Sequence, residues 1–290
     1  MTSPVTLLKA WNLHAKKKFG QNFLKDPSTT KMIVSCSGVS KDDAVLEIGS
    51  GFGALTIPAA RAAKKVYAVE KDRELIQILN AELLAQLIDN VTILEADILK
   101  LDLMPLAEQE GGKLWVMGNL PYNISSQIIV KLIRFRHAVY RAVVMLQKEL
   151  AQRISAKPGG KDYGRLTAMT AYCADVRPIL QISASQFHPR PKVDSTVLAI
   201  DFLEPRYPAI DERHLFKVIK AAFGQRRKTL RNALAGSELH LDSAALEVLN
   251  QAEIDPGRRA ETLAIEEFVR LSNLMIASGI FFPGEEANSL

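Results

Sequence analysis

The sequence is poor in cysteine and has no long apolar run. Its 290 residues include two cysteines, Cys36 and Cys173. That number excludes a disulfide-stapled scaffold and a structural zinc site built from cysteine alone. No stretch reaches the roughly 18 consecutive apolar residues of a membrane-spanning helix, and no N-terminal segment is typical of a targeting peptide. We therefore expect a cytoplasmic protein.

The sequence also has no motif typical of a metal site. Its histidines are scattered, and none forms an i, i+4 pair beside a glutamate. No internal repeat or low-complexity tract is visible either. We predict no bound metal.

Composition is ordinary for a folded chain, with 48% hydrophobic and 24% charged residues. The 37 Lys and Arg exceed the 32 Asp and Glu by 5, which gives a formal charge of +5. An excess of this size is a weak indication of nucleic-acid binding, so the placement of the charges matters more.

Strand and helix patterns alternate from about residue 43 to residue 202. Such alternation predicts a parallel sheet covered by helices on both faces, with ligands bound beyond the carboxyl ends of the strands. Two late apolar segments predict an antiparallel pair that closes the sheet. The predicted strands are Ala44–Ile48, Val66–Val69, Val91–Leu94, Leu114–Met117, Ala142–Leu146, Val176–Ile182 and Thr196–Phe202.

The pattern changes at Glu204–Pro208, where two prolines lie close together and indicate a linker. From Asp211 onward only helical patterns remain. We therefore predict two domains, an α/β domain over residues 1–205 and a small all-helical domain over residues 206–290.

A glycine-rich segment, Glu47–Gly53, follows the first strand and precedes a helix. Glycines allow a sharp turn and close approach to a ligand, and a helix start offers free N–H groups. Glu70 ends the next strand about 20 residues later, where a carboxylate accepts hydrogen bonds from ribose hydroxyls. The pair favours a nucleotide-like cofactor, either NAD or S-adenosylmethionine, over a plain turn followed by a solvated acid.

Asp97 follows the third strand and has two interpretations of equal weight. Its carboxylate is suited to accept a hydrogen bond from the exocyclic amine of an adenine in the cofactor. It is equally suited to cap the helical turn that begins at Ile98.

The tetrapeptide Asn119-Leu120-Pro121-Tyr122 follows the fourth strand. An adenine amine is a poor nucleophile because its lone pair is delocalised into the ring. Two acceptors, the Asn119 side-chain oxygen and the Leu120 carbonyl, would hold the amine in a geometry that localises this lone pair. Pro121 stiffens the turn and Tyr122 offers a face on which a base stacks. The segment therefore predicts methylation of adenine, with a buried tyrosine on a proline turn as the alternative.

Positive charge is concentrated in the last third of the chain, where no acid lies between Glu212 and Glu238. A run of one sign favours phosphate contacts over a merely solvated helix face. A second cluster precedes the sheet. The predicted RNA-binding residues are Lys16, Lys17, Lys18, Arg226, Arg227, Lys228 and Arg231.

Taken together, these motifs resemble the ribosomal RNA adenine dimethyltransferases, in particular the bacterial enzymes that act on small-subunit RNA. Further matching motifs are Lys17–Leu24, Gln147–Glu149 with Arg153, Phe187–Ser195 and Phe223–Leu230. The resemblance implies a Rossmann-like class I methyltransferase fold, with a seven-stranded, mostly parallel sheet and S-adenosylmethionine as cofactor. Arg190 departs from the pattern, which has a small residue or proline there.

The resemblance also implies roles for individual residues. Asn119 would hold the target amine and the sulfonium side of the cofactor, while Tyr122 and Phe187 would sandwich the target base. For Phe187 the residues alone favour a core aromatic at a proline-bounded corner. The implied cofactor contacts are Asn22, Leu24, Gly49, Gly51, Glu70, Asp97 and Asn119, and the implied catalytic set is Asn119, Leu120, Pro121, Tyr122 and Phe187.

The expected substrate is small-subunit (16S) ribosomal RNA within a pre-30S or 30S particle, dimethylated at two adjacent adenosines by a monomer with a role in ribosome biogenesis. Three alternatives stay open. They are a large-subunit (23S) methyltransferase of the resistance type, a non-catalytic assembly or transcription factor that keeps the fold, and an NAD-dependent oxidoreductase.

Overall fold

A computed structural model describes residues 2–16, 19–239 and 244–283. The chain divides into two compact units. Residues 1–151 and 175–202 form the first, called here the sheet unit, and residues 152–174 and 203–290 form the second, called the helical unit.

The sheet unit is built on a seven-stranded sheet. Its strands are β2 Ala44–Ile48, β3 Lys65–Glu70, β4 Val91–Glu95, β5 Leu114–Asn119, β6 Val139–Gln147, β7 Ala174–Ile182 and β9 Ser195–Phe202. They lie in the order β4-β3-β2-β5-β6-β9-β7. The first five strands of this order run parallel, and β9 is antiparallel to β6. The predicted mostly parallel sheet is confirmed.

A separate two-stranded sheet joins the N-terminal arm to a late segment of the chain. β1 (Phe23–Leu24) pairs antiparallel with β8 (Phe187–His188), so that Phe23 lies opposite His188 and Leu24 opposite Phe187. Two-residue strands carry no periodicity, and the sequence patterns did not predict this pair.

The sheet unit's helices are α1 Pro4–Ala10, α2 Pro27–Ser37, α3 Thr56–Ala62, α4 Arg73–Ala85, α5 Met104–Gln109 and α6 Ser125–Arg134, and α7 Lys148–Ile154 begins in this unit. Their starts follow from local chemistry. The Asp26 and Asp72 carboxylates accept from the Ser28 and Glu74 N–H groups and cap α2 and α4. Pro27 occupies the first turn of α2, where a missing N–H costs nothing.

The core of the sheet unit lies on both faces of the central strands. Every residue of β2 is buried, as expected for a parallel strand covered by helices on each side. Val45, Trp115 and Val143, from three adjacent strands, share one core cluster with residues of α2 and α3. The polar residues that follow the strands are therefore presented from a rigid base.

The helical unit contains α8 Arg165–Cys173, α9 Glu212–Ala222, α10 Leu230–Ala235, α11 Ala244–Gln251 and α12 Ile265–Ala277. The His214 imidazole of α9 is buried against Ser272 of α12, with its Nδ1 2.9 Å from the hydroxyl. None of the described helices, in either unit, combines the length and the apolar character of a bilayer-spanning helix.

The predicted domain boundary at residue 205 is close to the return of the chain to the helical unit at Leu203. The sequence prediction places residues 152–174 in the α/β domain, whereas in the structure they belong to the helical unit. Tyr163 and Tyr172 explain this grouping, because their rings contact Phe223 and Phe216 at centroid distances of 6.0 and 5.8 Å. These contacts join residues far apart in the chain, so no local pattern indicates them.

Candidate active site

A cavity of about 300 Å³ opens at the carboxyl edge of the parallel strands. It lies where ligands bind in sheets of this kind. The ends of β2, β3, β4 and β5 all contribute, together with the N-terminal arm. Its lining includes Asn22, Gly49, Gly51, Glu70, Asp97, Asn119, Leu120, Pro121 and Tyr122. The structure thus brings nine of the predicted residues together around one cavity.

The glycine loop is fixed to the end of β3 by Glu70. One carboxylate oxygen of Glu70 accepts from the Gly51 N–H at 3.0 Å, and the other accepts from the Lys71 and Asp72 N–H groups at 2.8 and 2.9 Å. Gly51 has a φ of 55°, and Gly49 a φ of 72°, in the left-handed region that favours glycine. The loop conformation therefore requires glycine at these positions.

The Glu70 carboxylate can accept a further hydrogen bond from a ligand. Burial raises the pKa of its carboxyl even though three backbone N–H groups stabilise the charged form. A carboxylate has about four lone-pair positions, so one stays available after these three bonds, and Glu70 lines the cavity. This acceptor suits a hydroxyl donor such as those of a ribose.

Asp97 makes two contacts of its own. One oxygen accepts from the Leu99 N–H at 3.0 Å, and the other pairs with the Lys71 ammonium at 2.8 Å. The hydrogen bond from Lys71 holds the pKa of Asp97 below its usual value. The capping contact is thus present in the structure. Asp97 also lines the cavity, so an adenine amine bound there would share the Asp97 carboxylate with Lys71.

The Asn119–Tyr122 turn is held by a hydrogen bond at every residue. The Leu120 N–H donates to the Met145 carbonyl at 3.1 Å, and the Ser125 hydroxyl donates to the Pro121 carbonyl at 2.8 Å. Gly118, immediately before the turn, has no room for a side chain, because a Cβ would lie 2.6 Å from the Ile48 carbonyl oxygen. The close approach of β5 to β2 at this point requires glycine.

The orientation of the Asn119 amide follows from its partner. Its Nδ2 donates to the backbone carbonyl of Asn22 at 2.7 Å. A carbonyl accepts and cannot donate, so the NH₂ group must face Asn22. Oδ1 then points elsewhere, and it is buried without a hydrogen-bond partner among the described residues. A buried acceptor left unpaired is costly and indicates a missing donor.

Tyr122 is held at its phenol end. Its hydroxyl lies 2.8 Å from the hydroxyl of Ser195, which is fully buried at the start of β9. Burial raises the pKa of the Tyr122 phenol, so the ring stays uncharged in the neutral range. Ser195, which is 73 residues away, ends the matching motif Phe187–Ser195, but the sequence predicts no role for it.

The N-terminal arm reaches the cavity through Asn22 and is fixed by Asp72. Gln21 donates to one Asp72 oxygen at 2.9 Å, and the Lys16 ammonium contacts the other at 2.8 Å and Glu74 at 2.7 Å. These bonds raise the pKa of Lys16. Two carboxylates therefore pair with the Lys16 ammonium, and its contact with RNA stays a prediction. Lys17 and Lys18 lie outside the described residues.

Leu24 and Phe187 are both 1% exposed and belong to the core. Leu24 does line a small adjoining cavity of about 30 Å³ with Gly49 and Asn119. The Phe187 ring lines neither cavity, so the position matches the core aromatic that its neighbours in sequence suggest. Stacking of Phe187 on a base stays a prediction, and it requires the ring to become exposed.

Glu47 is a residue to which the sequence patterns gave no separate role. It is 2% exposed, one of its oxygens has no hydrogen-bond partner among the described residues, and it lines the small cavity beside Ser50. Burial raises the pKa of its carboxyl to about 8, with the Glu70 charge adding to the shift. In the sequence, the feature that singles out Glu47 is its position as the first residue of the E-x-G-x-G motif.

The predicted basic residues of the helical unit differ in whether their side chains already have hydrogen-bond or ion-pair partners. Arg226 donates to the Lys161 carbonyl and lies 3.9 Å from Glu261. Arg227, Lys228 and Arg231 are exposed, and across residues 2–16, 19–239 and 244–283 their side chains have no hydrogen bond or ion pair. These three are the better candidates for phosphate contacts.

Comparison with known proteins gives one family. The model "Ribosomal RNA adenine dimethylase" matches residues 12–277. Ribosomal RNA small subunit methyltransferase A of Desulforapulum autotrophicum is 53% identical over 277 residues, or 95% of this chain and 97% of the relative.

Solved structures agree. A dimethyladenosine transferase from Plasmodium falciparum is similar with a TM-score of 0.76 and 27% identity, covering 90% of this chain and 99% of that one. The 23S rRNA methyltransferase ErmE follows with a TM-score of 0.65 and 25% identity, covering 87% and 98%. The sheet, the cavity at its carboxyl edge and these similarities have one explanation: the chain belongs to the ribosomal RNA adenine dimethylase family and has its Rossmann-like methyltransferase fold.

Proposed function

We propose that the protein transfers methyl groups from S-adenosylmethionine to the N6 amine of adenosines in small-subunit (16S) ribosomal RNA. The observation that carries the proposal is the Asn119 amide, whose Oδ1 is a buried acceptor without a partner among the described residues and whose orientation is fixed by Asn22. An exocyclic amine supplies the donor that this oxygen lacks. The relative from Desulforapulum autotrophicum is named a ribosomal RNA small subunit methyltransferase, which is the class of activity proposed here.

The residues present fit S-adenosylmethionine. Glu70 would hold the ribose hydroxyls, Asp97 the adenine amine, and Asn22 with the Gly49–Gly51 loop would contact the methionine portion. The positive φ of Gly49 and Gly51 and the lone-pair capacity of Glu70 are the structural reasons for this fit. When bound, the cofactor supplies a methyl group made electrophilic by the sulfonium.

The protein's own contribution is mostly positioning. Asn119 Oδ1 and the Leu120 carbonyl accept the two hydrogens of the target amine, which favours a geometry with the lone pair on nitrogen. Pro121 keeps the turn rigid, and the Tyr122 ring offers a stacking face for the base. The amine loses its proton to water after the methyl group has been transferred, so no side chain with a tuned pKa is needed.

The wider biological setting is part of the same proposal. We infer dimethylation, at two adjacent adenosines, on a pre-30S or 30S particle in the cytoplasm, by a monomer that takes part in small-subunit biogenesis. The names of the bacterial relatives support the substrate class. A chain with two cysteines suits a reducing compartment.

The proposal is tested with small-subunit particles that lack the mark, radiolabelled S-adenosylmethionine and mass mapping of the modified nucleosides. We expect dimethyladenosine in small-subunit RNA with the wild-type protein and a loss of about 100-fold or more in rate with Asn119→Ala. Asn80→Ala is the matched control, because Asn80 is exposed on α4.

Three outcomes would contradict the proposal in different ways. Methylation of large-subunit particles alone would indicate a 23S enzyme. Cofactor binding without any methyl transfer would indicate a non-catalytic assembly role. Preferential binding of NAD in a thermal-shift assay would overturn the cofactor assignment itself.

A further inference from the structure

The segment between β8 and β9, residues 189–194, has no role in the methyl transfer proposed above. Its first end adjoins β8, where His188 lies opposite the cavity-lining residue Phe23. Its other end adjoins Ser195, whose hydroxyl contacts the hydroxyl of Tyr122 at 2.8 Å. Both ends of this segment, called here the basic loop, therefore adjoin residues that contact the lining of the candidate active-site cavity.

The basic loop presents two cations to solvent. Arg190 and Lys192 are exposed, and within the described part of the chain neither side chain has a hydrogen bond or an ion pair. The one acid of the loop, Asp194, is engaged, since one of its oxygens accepts from the Ala184 N–H at 2.9 Å. Asp194 keeps its charge, so the loop carries two cations against one carboxylate, and neither cation is paired with an acid among the described residues.

The loop is also rigid enough to present these charges. Pro189 and Pro191 flank Arg190 and fix the backbone φ on both sides. The Asp194 carbonyl accepts from the Lys148 N–H at 3.0 Å and fixes the far end to the start of α7. Little backbone entropy is lost when a loop of this kind binds a ligand.

We propose that the basic loop binds the ribose-phosphate backbone of the RNA strand that carries the target adenosine, with Arg190 and Lys192 on phosphates that flank it. The inference rests on the proposed function, because it takes the base on Tyr122 to be part of an RNA strand. A base that is removed from its stack and placed on Tyr122 brings its neighbouring phosphates to the border of the same cavity. Cations at that border position the strand without reading its sequence.

The test compares the double variant R190A/K192A with the wild type on unmethylated small-subunit particles. The measurement is kcat/KM as a function of salt concentration, together with the cofactor Kd. Removing two phosphate contacts on a single strand should flatten the slope of log kcat/KM against log salt by about 1.4, at 0.7 per contact. The cofactor Kd should not change.

Two control variants isolate the position of the charges. K41A/K113A removes the same charge from exposed residues that precede β2 and β5, at the amino edge of the sheet, and should leave the slope as in the wild type. R190K/K192R keeps both charges and should restore most of the wild-type slope.

The outcomes separate the two proposals. Absence of methyl transfer by the wild type refutes the proposed function and leaves no substrate strand for the loop. An active wild type with an unchanged slope in R190A/K192A refutes the loop proposal alone. A lower kcat/KM with an unchanged slope also refutes it and indicates a contact with a ribosomal protein. An equal effect of K41A/K113A would show that net charge is responsible.

Discussion

Replacing Glu47 by glutamine should change how the stability of the sheet unit depends on pH. Glu47 is 2% exposed within β2, and burial raises the pKa of its carboxyl to about 8. Glutamine has nearly the same shape and does not ionise. The substitution therefore removes the titration while leaving the packing of the strand in place.

The sign follows from proton linkage. The unfolded chain releases the Glu47 proton near pH 4.5, whereas the folded chain keeps it until about pH 8. Between these values the folded state binds more protons, so the free energy of unfolding falls as pH rises. The fall is at most about 1.4 kcal/mol per pH unit, and about 5 kcal/mol over the whole interval. Above pH 8 the contribution of Glu47 is constant.

The assay is urea unfolding of the cofactor-free protein at pH 5.5, 6.5, 7.5 and 8.5, followed by tryptophan fluorescence. The chain has two tryptophans. Trp11 and Trp115 both belong to the sheet unit, so the signal reports the unit that contains Glu47. The stability of Glu47→Gln relative to the wild type should rise by about 1 kcal/mol per pH unit up to pH 7.5 and then level off.

Glu110→Gln is the control, because its carboxyl is shifted in the opposite direction. The Tyr67 hydroxyl donates to Glu110 at 2.6 Å and holds the pKa of that carboxyl below its usual value. The resulting stabilisation is present above about pH 4.5 and is lost as the solution becomes more acidic. Glu110→Gln should therefore show a loss that is independent of pH between 5.5 and 8.5. A pH-independent difference for Glu47→Gln as well would refute the reasoning.

Three further predictions concern binding and catalysis. Glu70→Gln should weaken S-adenosylmethionine binding by about 10- to 100-fold in calorimetry, since a charged hydrogen-bond acceptor is lost; an unchanged Kd would contradict the ribose assignment. Tyr122→Phe and Ser195→Ala should each lower kcat several-fold, and the double variant should lose no more than either, because both remove one shared bond; additive losses would contradict this. Arg227→Ala with Lys228→Ala should flatten the salt dependence of RNA binding by about 1.4 without changing the cofactor Kd; an unchanged slope would exclude these two residues as phosphate contacts.

Most of the sheet was predictable because its signal is local. Runs of apolar residues bounded by glycine or acids placed β2 at Ala44–Ile48 as observed, and the other strands within a few residues of their observed ends. The pairs that depend on distant partners were not predictable. β1 with β8 has only two residues in each strand, too few for any periodicity.

The candidate site likewise has features that the sequence predicts and features that depend on distant residues. Residues that follow strands were identified, since the carboxyl ends of parallel strands meet at one edge. Lys16 shows what such reasoning leaves undecided, because its ion pair with Asp72 depends on a segment far away in the chain. For Phe187 the neighbouring residues favour a core aromatic, which its burial matches, and stacking on a base stays a prediction. Charge pairing with distant residues cannot be read from neighbouring residues.

The sequence by itself therefore determined the parallel sheet, the glycine loop, the acids at two strand ends and the Asn119–Tyr122 turn, because each is specified by a short run of residues. Only the tertiary structure decided how these groups are oriented. The Asn119 amide is turned by a carbonyl 97 residues away, Tyr122 is held by a hydroxyl 73 residues away, and Lys16 is neutralised by a carboxylate 56 residues away. Hydrogen bonds and ion pairs act over a few ångströms, and only folding brings such distant residues within that range.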